Sequence, residues 1–434
     1  MSKQDDRKII LGIAGLGTVG AGVVKIIEKH KALIAARAGC PVEIKAVSAR
    51  DRSRDRGVDL SAYDWVDNAV DLAEEGSGVN LVVELIGGSD GPALALARKA
   101  LGRGIGFVTA NKALIATHGK ELAALAEETG APLKFEAAVA GGIPIIKALR
   151  EGLAGNAIES VRGILNGTCN YILTRMEHEG LAFDDVLKDA QQLGYAEADP
   201  TFDIDGIDTA HKTAILATLA FGTEPDIENL PTEGIRNIAP VDIEYAKELG
   251  YRIKLLGVTQ QTAEGIETRV HPAMVPTRAA IANVMGPTNA VVVNGDAVGQ
   301  TVYEGAGAGE GPTASAVMGD ILDVARGAEG PRLGVPATSL KPSNPVPVVK
   351  HRGTYYIRLR VNDQPGVMAD ITKVLAEENV SIESMLQRGS ASDGGVYIVL
   401  TTHETVEASV AATLDRFTTL QCVLETPTML RIEA

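Results

Sequence analysis

The chain has 434 residues, of which 45% are hydrophobic and 22% charged, a composition typical of soluble globular proteins. This length predicts two or three domains, each with its own core. The formal net charge of -15 argues against nucleic-acid binding and against an anionic membrane surface, while leaving room for a local basic pocket.

The cysteines and the N-terminal segment indicate in which cellular compartment the protein is expected. Cys40, Cys169 and Cys422 are too few and too scattered for a disulfide framework or a zinc site. The N-terminal segment lacks the apolar core of a secretory signal, and no run approaches the ~18 apolar residues of a membrane span. We therefore expect a cytoplasmic protein.

Residues 1–140 alternate short apolar segments with helical patterns. The predicted strands are KIILGIAGLG, VEIKAVSAR, LVVELIGG and GFVTAN, and the predicted helices cover 19–38, 92–101 and 120–129. Strands that alternate with helices favour a parallel sheet with right-handed crossovers. The sequence therefore predicts an α/β protein that begins with a Rossmann-type parallel sheet.

The loop GLGTVG follows the first predicted strand and opens the first predicted helix. Its residues are Gly15, Leu16, Gly17, Thr18, Val19 and Gly20. The three glycines would permit a tight turn, close approach of a pyrophosphate to the backbone, and close helix–strand packing. A purely structural turn is the alternative, but the place of the loop in a strand–helix–strand unit favours dinucleotide binding.

The end of the second predicted strand bears on the choice of cofactor. An arginine there accommodates the 2′-phosphate of NADP, whereas an acidic residue bonds the 2′-hydroxyl of NAD. This strand ends at Arg50 and Asp51. Arg50 favours NADP, and an inward-turned Asp51 leaves NAD open.

Lys112 follows the strand that contains Phe107 and Val108. It would lie at the carboxyl end of a parallel strand, where ligands bind in open α/β sheets. The alternative is a solvated loop lysine.

The segment from Glu136 to Pro144, EAAVAGGIP, has one carboxylate followed by small residues. Such a loop can turn several carbonyl oxygens inward, and these oxygens suit a hard cation. On the sequence alone, a glycine-containing hinge between domains is favoured over a cation site.

Residues 141–330 mix predicted helices, at 167–179, 183–193 and 208–221, with period-two segments. This mixture predicts a central α+β domain with an antiparallel or mixed sheet. The glycine-rich stretch 305–317 is predicted as a loop that leads into a helix. It could close over a cofactor or be an ordinary connection.

The segment Tyr195–Lys212 concentrates carboxylates beside one lysine. The acids are Glu197, Asp199, Asp203, Asp205 and Asp208. A helix here places Asp208 and Lys212 on one face, one turn apart, in an apolar context that favours a site over a surface salt bridge. A calcium loop is excluded because Lys212 would occupy the position of the bidentate glutamate. A lysine beside carboxylates can move the proton of an alcohol oxidation, and the other carboxylates could bind a substrate ammonium.

Cys169 offers a different mechanism, in which a thiolate attacks an aldehyde. No histidine lies near it in the sequence, so a packing role is favoured.

Residues 331–350 form a proline-rich linker. Residues 351–434 follow the order βαββαβ, which predicts a ferredoxin-like domain.

Together these segments resemble homoserine dehydrogenase in its monofunctional bacterial form with a C-terminal ACT domain. The matching motifs occur in the family's order: GLGTVG, TANKALIA, FEAAVAGGIPII, ILNGTCNYIL, GYAEADPTFDIDGIDTAHK and GAGAGEGPTASAV. The resemblance implies reversible reduction of L-aspartate 4-semialdehyde to L-homoserine with NAD(P)H, on the route to threonine and methionine.

The resemblance also implies roles for individual residues. Lys212 is expected to be the general acid/base and Lys112 the second active-site lysine, with Asp208 and Glu197 as substrate-binding acids assisted by Asp203. A sodium-type monovalent cation is expected at Glu136, Val139, Gly141 and Ile143, and Gly309 is expected to contact the cofactor. The implied domains are a Rossmann domain (1–140), a substrate and dimerisation domain (141–330), a linker (331–350) and an ACT domain (351–434).

The first turn of the ACT-like block, NDQPGV, has a glycine that would let a small amino acid approach the backbone. The family's usual effector, threonine, is the expected ligand, and a fold used only for dimerisation is the alternative. A homodimer or homotetramer is expected. Two rival functions are a Cys169-dependent semialdehyde dehydrogenase and a non-catalytic amino-acid sensor, although a sensor has no use for Lys112 and Lys212.

Overall fold

The structure, a computed structural model, describes residues 7–388 and 395–433. Contacts group the chain into two compact units, each assembled from three separate segments. Unit 1 contains the chain up to Gly167, Asp208–Leu230 and Pro287–Ser343, and unit 2 contains Thr168–Ile207, Pro231–Gly286 and the chain from Asn344. The four consecutive domains expected from the sequence stay a prediction.

The strands are β1 (Ile9–Ala14), β2 (Val42–Ser48), β3 (Asp64–Trp65), β4 (Leu81–Glu84), β5 (Gly106–Thr109), β6 (Leu133–Lys134), β7 (Ile158–Ile164), β8 (Tyr251–Thr262), β9 (Gly265–Pro276), β10 (Thr288–Gly295), β11 (Gly299–Ala306), β12 (Arg352–Asn362), β13 (Ile382–Arg388), β14 (Gly395–Thr402), β15 (Thr405–Val406) and β16 (Thr428–Ile432). The helices are α1 (Thr18–Ala38), α2 (Pro92–Gly102), α3 (Lys112–Thr129), α4 (Ile145–Lys147), α5 (Gly167–Glu179), α6 (Phe183–Gln192), α7 (Thr201–Ile204), α8 (Ile207–Phe221), α9 (Pro240–Glu248), α10 (Glu310–Arg326), α11 (Val367–Glu377) and α12 (Glu407–Phe417).

The first sheet of unit 1 is parallel, with the strand order β3-β2-β1-β4-β5-β6. This is the order of a Rossmann fold, whose ligands bind outside the carboxyl ends of the strands. Strands β4 and β5 are buried along their whole length because helices cover both faces. Helices α1 and α10 pack on one face, and α2 and α3 on the other. The predicted fold class is confirmed.

Helix α3 begins eight residues earlier than the sequence pattern indicates, at Lys112 rather than Lys120. Gly119, just before the predicted start, is buried in the helix, where a side chain would contact Ile115 and Pro225. The side chain of Asn111 caps the helix by accepting the N–H of Leu114 at 3.1 Å. Lys112 is therefore a helix-terminal residue rather than a loop residue.

The second sheet segment of unit 1 is antiparallel and places β10 between β7 and β11. One predicted period-two segment is in fact the hairpin of β10 and β11. The glycine-rich connection is shorter than predicted, since β11 continues to Ala306 and α10 begins at Glu310. Strand β7 and helix α9 were not predicted.

Unit 2 contains the long antiparallel hairpin β8–β9, and β16 pairs with β9 in parallel. The last block forms the strand order β16-β12-β14-β13 with α11 and α12, which is the predicted ferredoxin-like βαββαβ arrangement. Its core is built from alternating residues of these strands, including Ile357, Leu359 and Ile398.

A buried ion pair within unit 2 joins α9 to β12. The Asp242 carboxylate, which is completely buried, accepts the Nε–H of Arg358 at 2.6 Å and the Tyr356 hydroxyl at 2.9 Å. Removal of one partner of a buried pair leaves an uncompensated charge, which is more destabilising than loss of an exposed pair.

We predict that Asp242→Ala lowers the local free energy of unfolding at β12 by about 3 kcal/mol, because Arg358 loses its buried partner. Hydrogen exchange of the β12 amides measures the change, which corresponds to an exchange rate roughly a hundredfold faster. Glu404→Ala is the control, since its bond to Arg352 is exposed and is worth less than about 1 kcal/mol. Equal effects of the two substitutions would contradict the prediction.

Candidate active site

A single carboxylate in unit 1 bridges two lysines. Asp208 Oδ1 lies 2.9 Å from Lys112 Nζ, and Asp208 Oδ2 lies 2.7 Å from Lys212 Nζ. Asn166 Nδ2 also donates to Oδ2 at 2.8 Å. Asp208 and Lys212 are buried, whereas the Lys112 side chain is 32% exposed. The arrangement is a buried ionic cluster with one lysine that reaches solvent.

Three separate elements supply these groups. Helix α8 carries Asp208 and Lys212 one turn apart on one face, as the sequence predicted, and α3 presents Lys112 from its first residue. The chain that leaves β7 supplies the Asn166 amide and the carbonyl oxygen of Leu165, which accepts from Lys212 Nζ at 2.7 Å. All of the residues that supply these groups belong to unit 1.

The charges in the cluster settle the ionisation of Asp208. Burial by itself raises the pKa of this carboxyl, but the ammonium groups of Lys212 and Lys112 outweigh burial and hold the pKa well below its usual range. The carboxylate is therefore ionised at neutral pH and fixes both ammonium groups. Burial, and then the charge of Lys112, lowers the pKa of the adjacent His211.

The glycine loop at the start of α1 fits a dinucleotide. Gly15 has φ 99°, and a side chain there would collide with the carbonyl of Leu85. Gly17 is the N-cap of α1 and makes no side-chain cap bond, and a Cβ on it would contact nothing within 4 Å. The 21-residue helix thus begins beside open space at Gly17, and a helix N-terminus in such a place suits a pyrophosphate.

Basic residues follow β2 beside this loop. Arg50 is exposed. The carboxylate of Asp51 bonds the N–H and hydroxyl of Ser53, and these hydrogen bonds lower its pKa. Arg56 donates from Nε to the carbonyl of Leu16 at 3.1 Å, and the guanidinium groups of Arg52 and Arg56 lie over the Trp65 ring. The Asp51 carboxylate thus bonds its own turn, while the Arg56 guanidinium bonds the glycine loop.

The segment that follows β6 is buried through most of its length. Both carboxylate oxygens of Glu136 accept backbone N–H groups, from Ile146 and Lys147, at 2.9 Å. Ala140 and Gly141 have positive φ values of 54° and 44°, so the backbone reverses its direction here. Val139 and Ile143 are fully or almost fully buried on either side of this turn.

Gly309 is the N-cap of α10 and has φ 115°, a conformation that favours glycine. A side chain on Gly141 would collide with the carbonyl of Gly307. The loop between β11 and α10 therefore packs directly on the turn at Gly141.

The acids of the 195–212 segment have separate partners. Asp199 accepts the N–H of Thr201 at 3.1 Å, and Asp205 pairs with Arg236. Glu197 is exposed and Asp203 is half-buried, and both belong to unit 2. Asp208 is the acid of this segment that bridges the two lysines described above.

Cys169 is completely buried in unit 2, and its Sγ donates to the carbonyl of Asp203 at 3.2 Å. This geometry is that of a packing cysteine. No group of three or more His, Cys, Asp or Glu side chains in residues 7–388 and 395–433 is placed to hold a metal ion. Over the same part of the chain, no helix is long and apolar enough to cross a membrane.

Asn166 is a site residue that the sequence pattern did not identify on its own. Asn166 lies just after β7, a strand that the sequence pattern did not predict. Its position directly before Gly167 was the feature of the sequence that could have pointed to it. Glu84 was also missed. This buried carboxylate accepts the Thr109 hydroxyl at 2.6 Å and the N–H of Ile86 at 2.7 Å, and so fixes the loop after β4.

Three family models match the chain. Residues 15–136 match the homoserine dehydrogenase NAD-binding domain, residues 144–322 match homoserine dehydrogenase, and residues 355–420 match the ACT domain. The homoserine dehydrogenase of Neisseria gonorrhoeae is 46% identical over 434 residues, which are 99% of this chain and 99% of that protein. The chain belongs to the homoserine dehydrogenase family.

Solved structures of homoserine dehydrogenases agree with this membership. The crystal structure of the enzyme from Thiobacillus denitrificans is 46% identical, with a TM-score of 0.92 over 98% of each chain. A hyperthermophilic archaeal homoserine dehydrogenase in complex with NADPH is 29% identical, with a TM-score of 0.64 over 75% of this chain and 100% of that one. As a homoserine dehydrogenase, this chain is an oxidoreductase that acts on a CH–OH group with NAD(P).

We predict that Asp208→Asn lowers the free energy of unfolding near neutral pH by about 3 kcal/mol, because two ammonium groups lose their carboxylate. The folded-state pKa of Asp208 is depressed, so its contribution to stability is present above the unfolded-state pKa of about 3.9 and is lost as the pH falls further. Urea unfolding of both proteins between about pH 7 and about pH 3 should show a difference that shrinks only at the acidic end.

Glu43→Gln is the control for this measurement, since Glu43 makes an exposed pair with Lys8 in the same unit. It should change stability by less than about 1 kcal/mol at every pH. A difference between Asp208→Asn and the parent protein that grew on acidification would contradict the assigned ionisation.

Proposed function

We propose that this protein catalyses the reversible NAD(P)H-dependent reduction of L-aspartate 4-semialdehyde to L-homoserine, with Lys212, Lys112 and Asp208 as its catalytic groups. The observation that carries the proposal is the Asp208 carboxylate between two lysines, 2.9 Å from one and 2.7 Å from the other. Membership of the family supplies the substrate pair.

In the direction of reduction, the bound cofactor supplies a hydride to the aldehyde carbon. The Lys212 ammonium donates a proton to the resulting alkoxide oxygen and accepts it back in the reverse reaction. Asp208 and the Leu165 carbonyl fix the position of Nζ, so the donor is already oriented. Lys112, which is more exposed, stabilises negative charge on the same oxygen and exchanges protons with solvent.

The Glu197 and Asp203 carboxylates are proposed to bind the substrate ammonium. The residues Gly15 to Gly20 and Gly309 are proposed to contact the cofactor, with the helix N–H groups at the pyrophosphate. NADP is proposed over NAD because Arg50 is exposed beside the loop while Asp51 is engaged with Ser53.

A sodium-type monovalent cation is proposed at the turn after β6. The backbone carbonyls of Val139, Gly141 and Ile143 would supply ligands, together with Glu136. Support comes from the two consecutive positive φ values, which turn the backbone here, and from the burial of this turn, which would screen a bound cation from water. Because Glu136 caps the next helix with both carboxylate oxygens, its main-chain oxygen is the simpler ligand.

We predict that Lys212→Met lowers turnover at least about a hundredfold, since a positioned acid/base group contributes this much or more. Homoserine oxidation and semialdehyde reduction should be assayed with NADP(H) and NAD(H), and cofactor binding should be measured separately. Binding should be retained, because Lys212 contacts Asp208 and Leu165 rather than the glycine loop. Turnover near that of the parent protein would refute the assignment.

Two controls distinguish this mechanism from its rivals. Lys120→Met removes an exposed lysine of α3 that pairs with Glu224, and it should leave turnover unchanged. Cys169→Ser should also leave turnover largely intact, whereas a Cys-dependent semialdehyde dehydrogenase would lose activity. A non-catalytic sensor would show no turnover in any form of the protein.

The ACT domain is proposed to bind threonine and to inhibit the enzyme on the route to threonine and methionine, in a homodimer or homotetramer. Gly366 supports this proposal because it is the N-cap of α11, has φ 99°, and would present a Cβ to open space. A small amino acid can therefore approach the first N–H groups of the helix.

We predict that millimolar L-threonine lowers the rate of homoserine oxidation and raises the melting temperature, because the ligand binds only the folded protein. D-threonine is the matched control and should do neither. Gly366→Val should remove both effects while leaving the uninhibited rate unchanged. If L-threonine changes neither rate nor melting temperature, the ACT domain has no such role.

A further inference from the structure

Asn289, on β10 in unit 1, is 1% exposed, yet neither Nδ2 nor Oδ1 has a hydrogen-bond partner among the residues that the structure describes. A primary amide carries two N–H donors and one oxygen acceptor. Buried amides are nearly always paired, since an unmet buried group destabilises a protein. The Asn289 amide therefore keeps hydrogen-bonding capacity that the described residues do not use in this arrangement.

Two glycines enclose this amide. A Cβ on Gly307 would overlap both Nδ2 and Oδ1 of Asn289, and a Cβ on Gly167 would lie 3.6 Å from Oδ1. Only glycine at position 307 leaves room for the Asn289 side chain. The amide therefore contacts the backbone of Gly307 without bonding to it.

Each glycine belongs to a segment that reaches the active site. Gly167 directly follows Leu165 and Asn166, which bond Lys212 and Asp208. Gly307 belongs to the loop 307–309 that leads into α10.

The first turn of α10 packs on the helix that begins at the dinucleotide loop. Glu310 lies against Gly22 of α1, and its carboxylate lies 2.8 Å from Lys25 Nζ. Asn289 thus lies between the segment that bonds the Asp208 cluster and the loop that leads into α10.

We propose that Asn289 is a positioning residue for the nicotinamide cofactor. Its amide pairs with the peptide groups of loop 307–309 when bound cofactor shifts that loop, and it stays unpaired when the cofactor is absent. A peptide group offers one N–H and one carbonyl, which complement the oxygen and the NH₂ of the amide. The loop contains Gly307 and Gly309, so the backbone can rotate at little torsional cost.

This inference rests on the proposed role of Gly309 in cofactor binding. Since the hydrogen bonds form only in the bound state, they contribute to cofactor affinity and not to the stability of the free enzyme. An asparagine with a purely structural role would stabilise the free enzyme and would not contribute to cofactor affinity. The two roles therefore predict opposite patterns for stability and affinity.

The test is Asn289→Leu, which keeps the branching and the number of side-chain heavy atoms but cannot form hydrogen bonds. We expect the melting temperature of the cofactor-free enzyme to stay the same or rise. The Kd for NADPH should increase about tenfold, the effect of losing one or two net hydrogen bonds. The KM for homoserine at saturating cofactor should be unchanged.

Asn294→Leu is the matched control on the same strand, since the Asn294 amide donates to the Ser160 hydroxyl at 2.8 Å. It should lower the melting temperature and leave the Kd for NADPH unchanged. An unchanged Kd in Asn289→Leu, or a lower melting temperature without loss of affinity, would overturn the inference. If the parent protein itself bound neither NADPH nor NADH, the proposed function would fail instead.

If Asn289→Leu does not fold, two other variants provide the test. Asn289→Ser and Asn289→Ala remove similar volumes, but serine keeps a donor and an acceptor. The serine variant should bind NADPH more tightly than the alanine variant. Equal affinities of these two variants would also overturn the inference.

Discussion

The ionised carboxylate of Asp208 is the interaction on which the active site depends. A buried anion is stable only when cations and hydrogen-bond donors surround it, and here Lys212, Lys112 and Asn166 do so. Each of these partners comes from a different segment of unit 1. The requirement to neutralise one charge therefore fixes how α8, α3 and the end of β7 come together.

The same constraint supports the chemistry that we propose for the two lysines. Lys212 is buried and held by two oxygen atoms, so its Nζ has a defined position at which a proton can be given or taken. Lys112 shares the carboxylate but remains about one-third exposed, so it connects the cluster with solvent. In the proposed mechanism, the Asp208 carboxylate thus holds the proton donor Lys212 in place, and Lys112 provides the path by which the proton exchanges with solvent.

Glycine has a related role on the cofactor side of unit 1. Gly15, Gly141 and Gly309 adopt positive φ values, and side chains on Gly141 and Gly307 would collide with a backbone or amide neighbour. For this reason the loop after β11 can approach the turn after β6, and the start of α1 can approach the loop after β4. The Rossmann sheet supplies the rigid frame, and the glycines permit the close contacts near its carboxyl edge.

The sequence by itself determined the parallel sheet, the ferredoxin-like block and the pairing of Asp208 with Lys212, because each depends on local spacing: alternation of strands and helices, the βαββαβ order, and an i,i+4 interval. It did not show that Lys112 begins a helix, nor that Asn166 follows a strand. The bond of Lys112 to Asp208 spans 96 positions, and the neighbours of Asn289 come from segments on either side of it. Only the tertiary structure could decide such contacts, because they arise from the packing of distant segments and produce no periodic pattern in the sequence.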